Sequence, residues 1–172
     1  PENADAFSRM VGLLYKSGQL DEAEAMLRKA IDANPKTPQY HRLHSDILEQ
    51  KGDVAGAIKA IKKAVKLDPE DQFVRFRLGS LLAGAEQYED AESVVHSVVA
   101  DNDTEPAYLA SLSRVSARLG KTDQAIKYAQ AATKYEPKAH SVFHHLGNML
   151  AINGDISESI KAQRDAIAIN DT

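Results

Sequence analysis

Cysteine and tryptophan are absent from the 172 residues, aromatics make up 6%, and there are only 9 glycines and 6 prolines. Without cysteine there is no disulfide staple, no thiolate zinc site and no thiol catalysis, though nothing follows about compartment. So little glycine and proline, beside 43% hydrophobic residues, excludes a low-complexity or disordered chain. No apolar run approaches the roughly 20 residues of a spanning helix, and no signal peptide opens the sequence. A formal net charge of -4 and a pI near 5.9 argue against sequence-independent nucleic-acid binding. What is abundant is alanine, the best helix former, at 26 residues. The expectation is a helical globular protein, with the cytoplasm favoured because no targeting signal is in view.

A repeat organises the chain. Pro35, Pro69 and Pro137 are spaced by 34 and by twice 34. Gly18, Gly52, Gly120 and Gly154 keep that register, as do Ala23, Ala57, Ala91 and Ala125, and again Ala30, Ala64, Ala132 and Ala166. Five units follow without insertion or deletion: 4–37, 38–71, 72–105, 106–139 and 140–172. Each reads as two helices. In the second unit Leu43, Ile47 and Leu48 recur at helical spacing, Gly52-Asp53 breaks the pattern, and Ala57, Ile58, Ile61, Ala64 and Val65 form a second stripe. Asp68-Pro69 ends it, since proline cannot continue a helix. The same reading predicts helices near 4–17, 21–33, 39–51, 54–67, 72–85, 88–101, 106–119, 122–135, 140–153 and 156–169.

The pattern resembles the tetratricopeptide repeat (TPR) family over essentially the whole chain. Within each unit that family wants a large apolar residue at position 4, Leu at 7, a small residue at 8, an aromatic or large apolar residue at 11 and Gly at 15. It then wants Ala at 20 and 27 and Pro at 32. The first unit supplies Phe7, Met10, Leu14, Gly18, Ala23, Ala30 and Pro35, with Val11 at the small position, and the fifth supplies Phe143, Leu146, Gly147, Leu150, Gly154 and Ala166. The resemblance implies an all-α, right-handed superhelical solenoid, in which the first helix of each unit (helix A) lines a concave groove and helix B forms the outer wall. Small residues at positions 8 and 20 are needed where the paired helices cross, because a bulky side chain there would overpack the contact, costing about 1–3 kcal/mol. Unit three departs most, with Glu86 for Gly, Val98 for Ala, Asp103 for Pro and a β-branched helix B. The stretch from Val99 to Pro106 is expected to be the softest. Unit five has Ser159 for Ala. Because solenoids normally finish on a polar cap, and Ile160 and Ile167 lie on an uncapped last helix, the chain reads as a segment of a longer protein.

No nucleotide, nucleophile-elbow or zincin motif occurs, so the expectation is a non-catalytic protein without cofactor or metal. His140 and His144 share a helix face but have no carboxylate partner for a metal, and His41 and His44 fall at packing positions. Asp101, Asp103 and Glu105 bunch without the glycine and closing glutamate of a calcium loop. Unit three carries two bases and seven acids, unit four six bases and two acids. The favoured reading of that contrast is attraction between neighbouring units rather than steering of a partner.

Groove positions implied by the resemblance fall on Arg42, Asp46, Phe73, Phe76, Arg77, Arg114, His144 and Asn148. Leu78, Leu81 and Leu82 already supply the core of their helix, which leaves Phe73 and Phe76 as surplus aromatics beside Arg77, the usual composition of an interface anchor. Arg42, Arg77 and Arg114 would orient carboxylates. The family's clamp for chaperone tails is matched at one residue in five, by Arg77, and its sugar-transferase asparagine ladder only at Asn148. The expected function is therefore a scaffold binding a peptide or protein segment, acidic with apolar anchors, in the groove. The alternatives are an accessory region positioning the acceptor of a larger bacterial glycosyl- or sulfotransferase, and a homo-oligomer stacking through its ends. Neither nucleic acid nor membrane insertion is expected.

Overall fold

The computed structural model describes residues 2–101 and 105–170. Among the described residues ten helices follow one another: α1 (Glu2–Lys16), α2 (Leu20–Ala33), α3 (Pro38–Gln50), α4 (Val54–Leu67), α5 (Gln72–Gly84), α6 (Tyr88–Asp101), α7 (Pro106–Arg118), α8 (Thr122–Tyr135), α9 (His140–Asn153) and α10 (Ile156–Asn170). Every boundary lies within two residues of its expected place. The chain divides into two compact units, 1–81 and 82–172.

In the first unit α1–α2 and α3–α4 form hairpins, and α2 packs on α3. Val11, Leu14, Ala23, Leu27, Tyr40 and Ile47 form one buried cluster there, with the Phe7 ring edge-on to Tyr40 at 5.6 Å, and α4 adds Ala57, Ile58, Ile61 and Ala64 to the buried residues. In the second unit α7–α8 and α9–α10 are the hairpins, α6 packs on α7 and α8 on α9. Ala125, Ala129 and Met149 form one buried cluster there, and Leu109, Ala132 and Val142 another.

The small positions of the second helices are closed off from solvent. Ala23, Ala57, Ala91 and Ala125 are all 0% exposed. Two hydrogen bonds cross directly between paired helices at these sites. Ser113 Oγ donates to the Ala125 carbonyl at 2.7 Å, and Ser159 Oγ donates to the Gly147 carbonyl at 2.8 Å. Ser113 and Ser159 thus keep the small volume while their hydroxyls reach a backbone acceptor, whereas the fully buried Ser45 at the same position of the second repeat has no hydrogen-bond partner for its hydroxyl among the described residues. In α6 the valines do not shorten the helix, because burial of Val95 and Val98 outweighs their weaker propensity. Asp103 lies outside the described residues, as do its neighbours 102 and 104 within the stretch expected to be soft and the side chain of Asp101.

Each hairpin turn closes the same way. The residue after the turn donates its N–H to a carbonyl five residues back: Gln19 to Leu14, Asp53 to Leu48, Gln87 to Leu82, Lys121 to Ser116 and Asp155 to Leu150. The residue before it is left-handed. Gly18, Gly52, Gly120 and Gly154 have φ of 78°, 82°, 74° and 90°, and Glu86 is held at φ 60° in the fifth turn. A side chain in that region costs roughly 1–2 kcal/mol, and the Glu86 carboxylate recovers little from Arg118, 3.7 Å away and exposed. Glu86→Gly is therefore expected to raise stability by about 1 kcal/mol, read as a higher urea midpoint with unchanged slope. A lowered midpoint would show that the left-handed turn is not strained by Glu86.

Candidate functional site

Within the first unit, α3 and α5 bring together Arg42, Asp46, Glu49, Phe73 and Arg77. Arg42 and Asp46 are one helical turn apart and pair at 3.2 Å. Arg77 reaches across from α5 to the other Asp46 oxygen at 3.0 Å and to Glu49 at 2.5 Å. Burial by itself would depress the Arg77 guanidinium, but the hydrogen bonds it donates to Glu49 and Asp46 outweigh that and hold its pKa above the ordinary value. The Arg42 guanidinium lies over the Phe73 ring, 5.9 Å from its centroid. Phe73 remains 53% exposed, whereas Phe76 is half-buried.

This geometry corrects the expected role of two arginines. Arg42 and Arg77 were expected to orient acidic groups, yet both are engaged by carboxylates of their own unit. Two cations face two anions, so an incoming carboxylate has to displace Asp46 or Glu49. Glu49 also falls at a groove position of α3, and its spacing of three from Asp46 puts both on one face of the helix.

Within the second unit, His144 and Asn148 join a closed ring with Gln163 of α10. His144 Nδ1 donates to Gln163 Oε1 at 2.8 Å, Gln163 Nε2 donates to Asn148 Oδ1 at 3.0 Å, and Asn148 Nδ2 donates to His144 Nε2 at 3.2 Å. Both His144 nitrogens are thereby occupied. Gln163 was missed because the groove was assigned to A helices alone. The available signal was Gly147, where a Cβ would lie 2.6 Å from Gln163 Nε2, so the glycine makes room for that amide. Arg114, on α7, is exposed and makes no ion pair among the described residues. No group of three or more metal-ligating side chains occurs among the described residues, and no described helix is long and apolar enough to cross a membrane.

Charge contrast between the third and fourth repeats is used structurally. Lys121 pairs with Glu92 at 2.7 Å, and Arg118 lies over Tyr88 at 5.1 Å. The expected packing role of His41 and His44 is also visible. His41 Nε2 donates to the Pro35 carbonyl at 2.8 Å, and half-buried His44 lies 3.6 Å from Glu24, beyond hydrogen-bond reach.

Two imidazoles, His44 and His145, are expected to make stability pH-dependent. Burial depresses the pKa of His145, reinforced by the charges of Arg114 and His144. Since Ser113 gives its only proton to Ala125, it accepts from His145 Nε2 at 2.8 Å. Burial likewise depresses His44, despite nearby Glu24. Both folded values lie below the ordinary 6.5, so the unfolded chain takes up protons first as pH falls. Their contribution is full above about 6.5 and is lost as pH falls through the folded values. The urea midpoint is expected to drop between about pH 7 and about pH 5.5, and His145→Gln to flatten that drop. An unchanged pH profile in His145→Gln would remove His145 as a source.

Comparison with known proteins follows the same pattern. One tetratricopeptide repeat family model matches residues 10–72 and 112–172, and a second matches 48–115. Cellulose synthase operon protein C of Pseudomonas fluorescens (strain SBW25) is 26% identical over 133 residues, covering 73% of this chain and 10% of that protein. The chain thus spans about a tenth of that relative's length. Among solved structures, MamA 41-end from Desulfovibrio magneticus RS-1 has a TM-score of 0.89 at 20% identity, covering 99% of this chain and 96% of that one. YrrB, described as a TPR protein with an unusual peptide-binding site, has a TM-score of 0.79 at 20% identity, covering 95% and 84%. These structural likenesses are likenesses of fold. With family models matching well over half its residues, the chain belongs to the tetratricopeptide repeat family, an all-α solenoid fold whose arrays are protein-interaction scaffolds.

Proposed function

We propose that the chain is a non-catalytic scaffold that binds a peptide or protein segment on its helix-A faces, using α3 and α5 in the first unit and α7 and α9 in the second. The observation that carries this reading is Phe73, a large aromatic left 53% exposed beside a network that fixes its neighbour Arg42. An exposed aromatic on a rigid, charge-balanced surface is the composition of an interface anchor. Phe76 is included as the half-buried edge of the same helix. In the second unit, Arg114 is the cation open to an acidic group, and the His144–Asn148–Gln163 ring offers amide and imidazole edges. YrrB's described peptide-binding site is consistent with this use of the fold. The test is selection from a displayed peptide library on the whole chain, followed by titration of an enriched peptide. Phe73→Ala is expected to weaken that peptide at least about tenfold, with helicity by circular dichroism unchanged. Undiminished affinity would remove Phe73 from the surface.

A second reading, self-association, rests on exposed positions in α1 and α10. Leu13 is 65% exposed, whereas Ile47, Leu81, Val115 and Met149 at the same register are buried. Ile160 and Ile167 of α10 are 48% and 62% exposed. Association through these faces predicts a mass by light scattering that rises with concentration and stays monomeric in Leu13→Glu. A constant monomer mass in the unaltered chain would exclude it.

A further inference from the structure

A crevice of about 300 Å³ opens between helices α2 and α4, over α3, within the first unit. That is the lower end of the size of small-ligand sites. Its walls combine apolar Ile31, Leu48 and Ala60 with the cations Arg28, Lys59 and Lys63. On α3 its residues His41, His44 and Leu48 lie well away from the face of Arg42, Asp46 and Glu49, as the 3.6-residue turn requires. The repeat shows why space exists here. Ala60 stands where the other units have Met26, Val94, Tyr128 and Ala162, and Gly56 stands where they have Glu22, Asp90, Gln124 and Glu158. The place of a Cβ at Gly56 is taken by the Asp53 carboxylate, so of the two small residues it is Ala60 that leaves volume in the crevice.

The charges in this crevice are unevenly committed. Arg28 is tied to Glu24 at 2.6 Å. Asp53 is spent on the start of α4, where its Oδ1 accepts from the Gly56 N–H at 2.9 Å. Lys59 and Lys63, one turn apart and exposed, make no ion pair among the described residues. α4 also carries Lys62 and Lys66, and no acid anywhere along its length. Counting Asp32 and Asp53 against the three lining cations leaves a single net positive charge. One excess charge beside apolar walls matches a monoanion with an apolar body better than a dianion, which would exceed the charge available.

We propose that the crevice between α2 and α4 binds a small organic carboxylate, its apolar body against Ile31, Leu48 and Ala60 and its carboxylate on Lys59 and Lys63. This site is separate from the Phe73 surface and stands or falls independently of it.

The test uses the whole chain, titrated at constant ionic strength with phenylacetate, phenylacetamide and phenyl phosphate, followed by calorimetry and by amide and imidazole NMR shifts. Phenylacetate is expected to bind saturably and to move the signals of His41, His44 and α4. Phenylacetamide, which lacks the charge, is expected to bind at least about tenfold more weakly. Lys59→Gln with Lys63→Gln is expected to weaken phenylacetate to the same degree, and Ala60→Met to block it by filling the crevice, each with helicity unchanged. Phe73→Ala should leave phenylacetate binding as it was. Equal binding of acid and amide, tighter binding of phenyl phosphate, or shifts that persist in both crevice variants would overturn the proposal, as would no saturable binding.

Discussion

The rest of the structure depends on how closely the two helices of a hairpin approach. Ala23, Ala57, Ala91 and Ala125 are fully buried, and the hydroxyls of Ser113 and Ser159 bond directly to the opposite backbone, whereas the buried Ser45 contributes only its small volume. Close approach excludes water and buries the apolar stripes of both helices, which is where short helices obtain most of their stability. It also sets which residues can turn outward. With one face of each A helix committed to the crossing, Arg42, Asp46 and Glu49 are left together on another, within reach of Arg77 and Phe73.

Electrostatics then divides these outward side chains into spent and available. Asp46 bridges two arginines and Glu49 secures one of them, so the cluster on α3 and α5 is rigid and near neutral. Its open contact surface is the Phe73 ring rather than a cationic lining. On α4 the balance is reversed, because four lysines share a helix without an acid. The same unit therefore presents an aromatic, charge-compensated face and a cationic crevice, built from a near-neutral stretch of sequence. In the second unit the acids of the third repeat and the bases of the fourth meet in packing contacts such as Lys121–Glu92, which leaves Arg114 as an exposed cation on α7.

Much of the fold was legible because its constraints are local and periodic. Glycine at the turns reports a left-handed backbone, and the four glycines adopt it. Glu86 could be recognised as a departure, yet only the backbone reveals that the turn keeps its geometry there instead of relaxing. The site was legible in part. The family resemblance implied groove positions for Phe73, Arg42 and Asp46, but nothing in the repeat announced that Asp46 would join two arginines, one of them 31 residues away. Gln163 escaped for a similar reason, since its partners His144 and Asn148 lie 19 and 15 residues earlier on another helix.

The sequence by itself determined the ten helices, their boundaries, the repeat and the positions that had to be small, because helix periodicity, turn conformation and crossing volume act over a few residues and recur every 34. Only the tertiary structure decided which charges are neutralised, which aromatic stays exposed and where a crevice opens. Those outcomes depend on which side chains meet from different helices, and one register allows many such meetings until the backbones are packed.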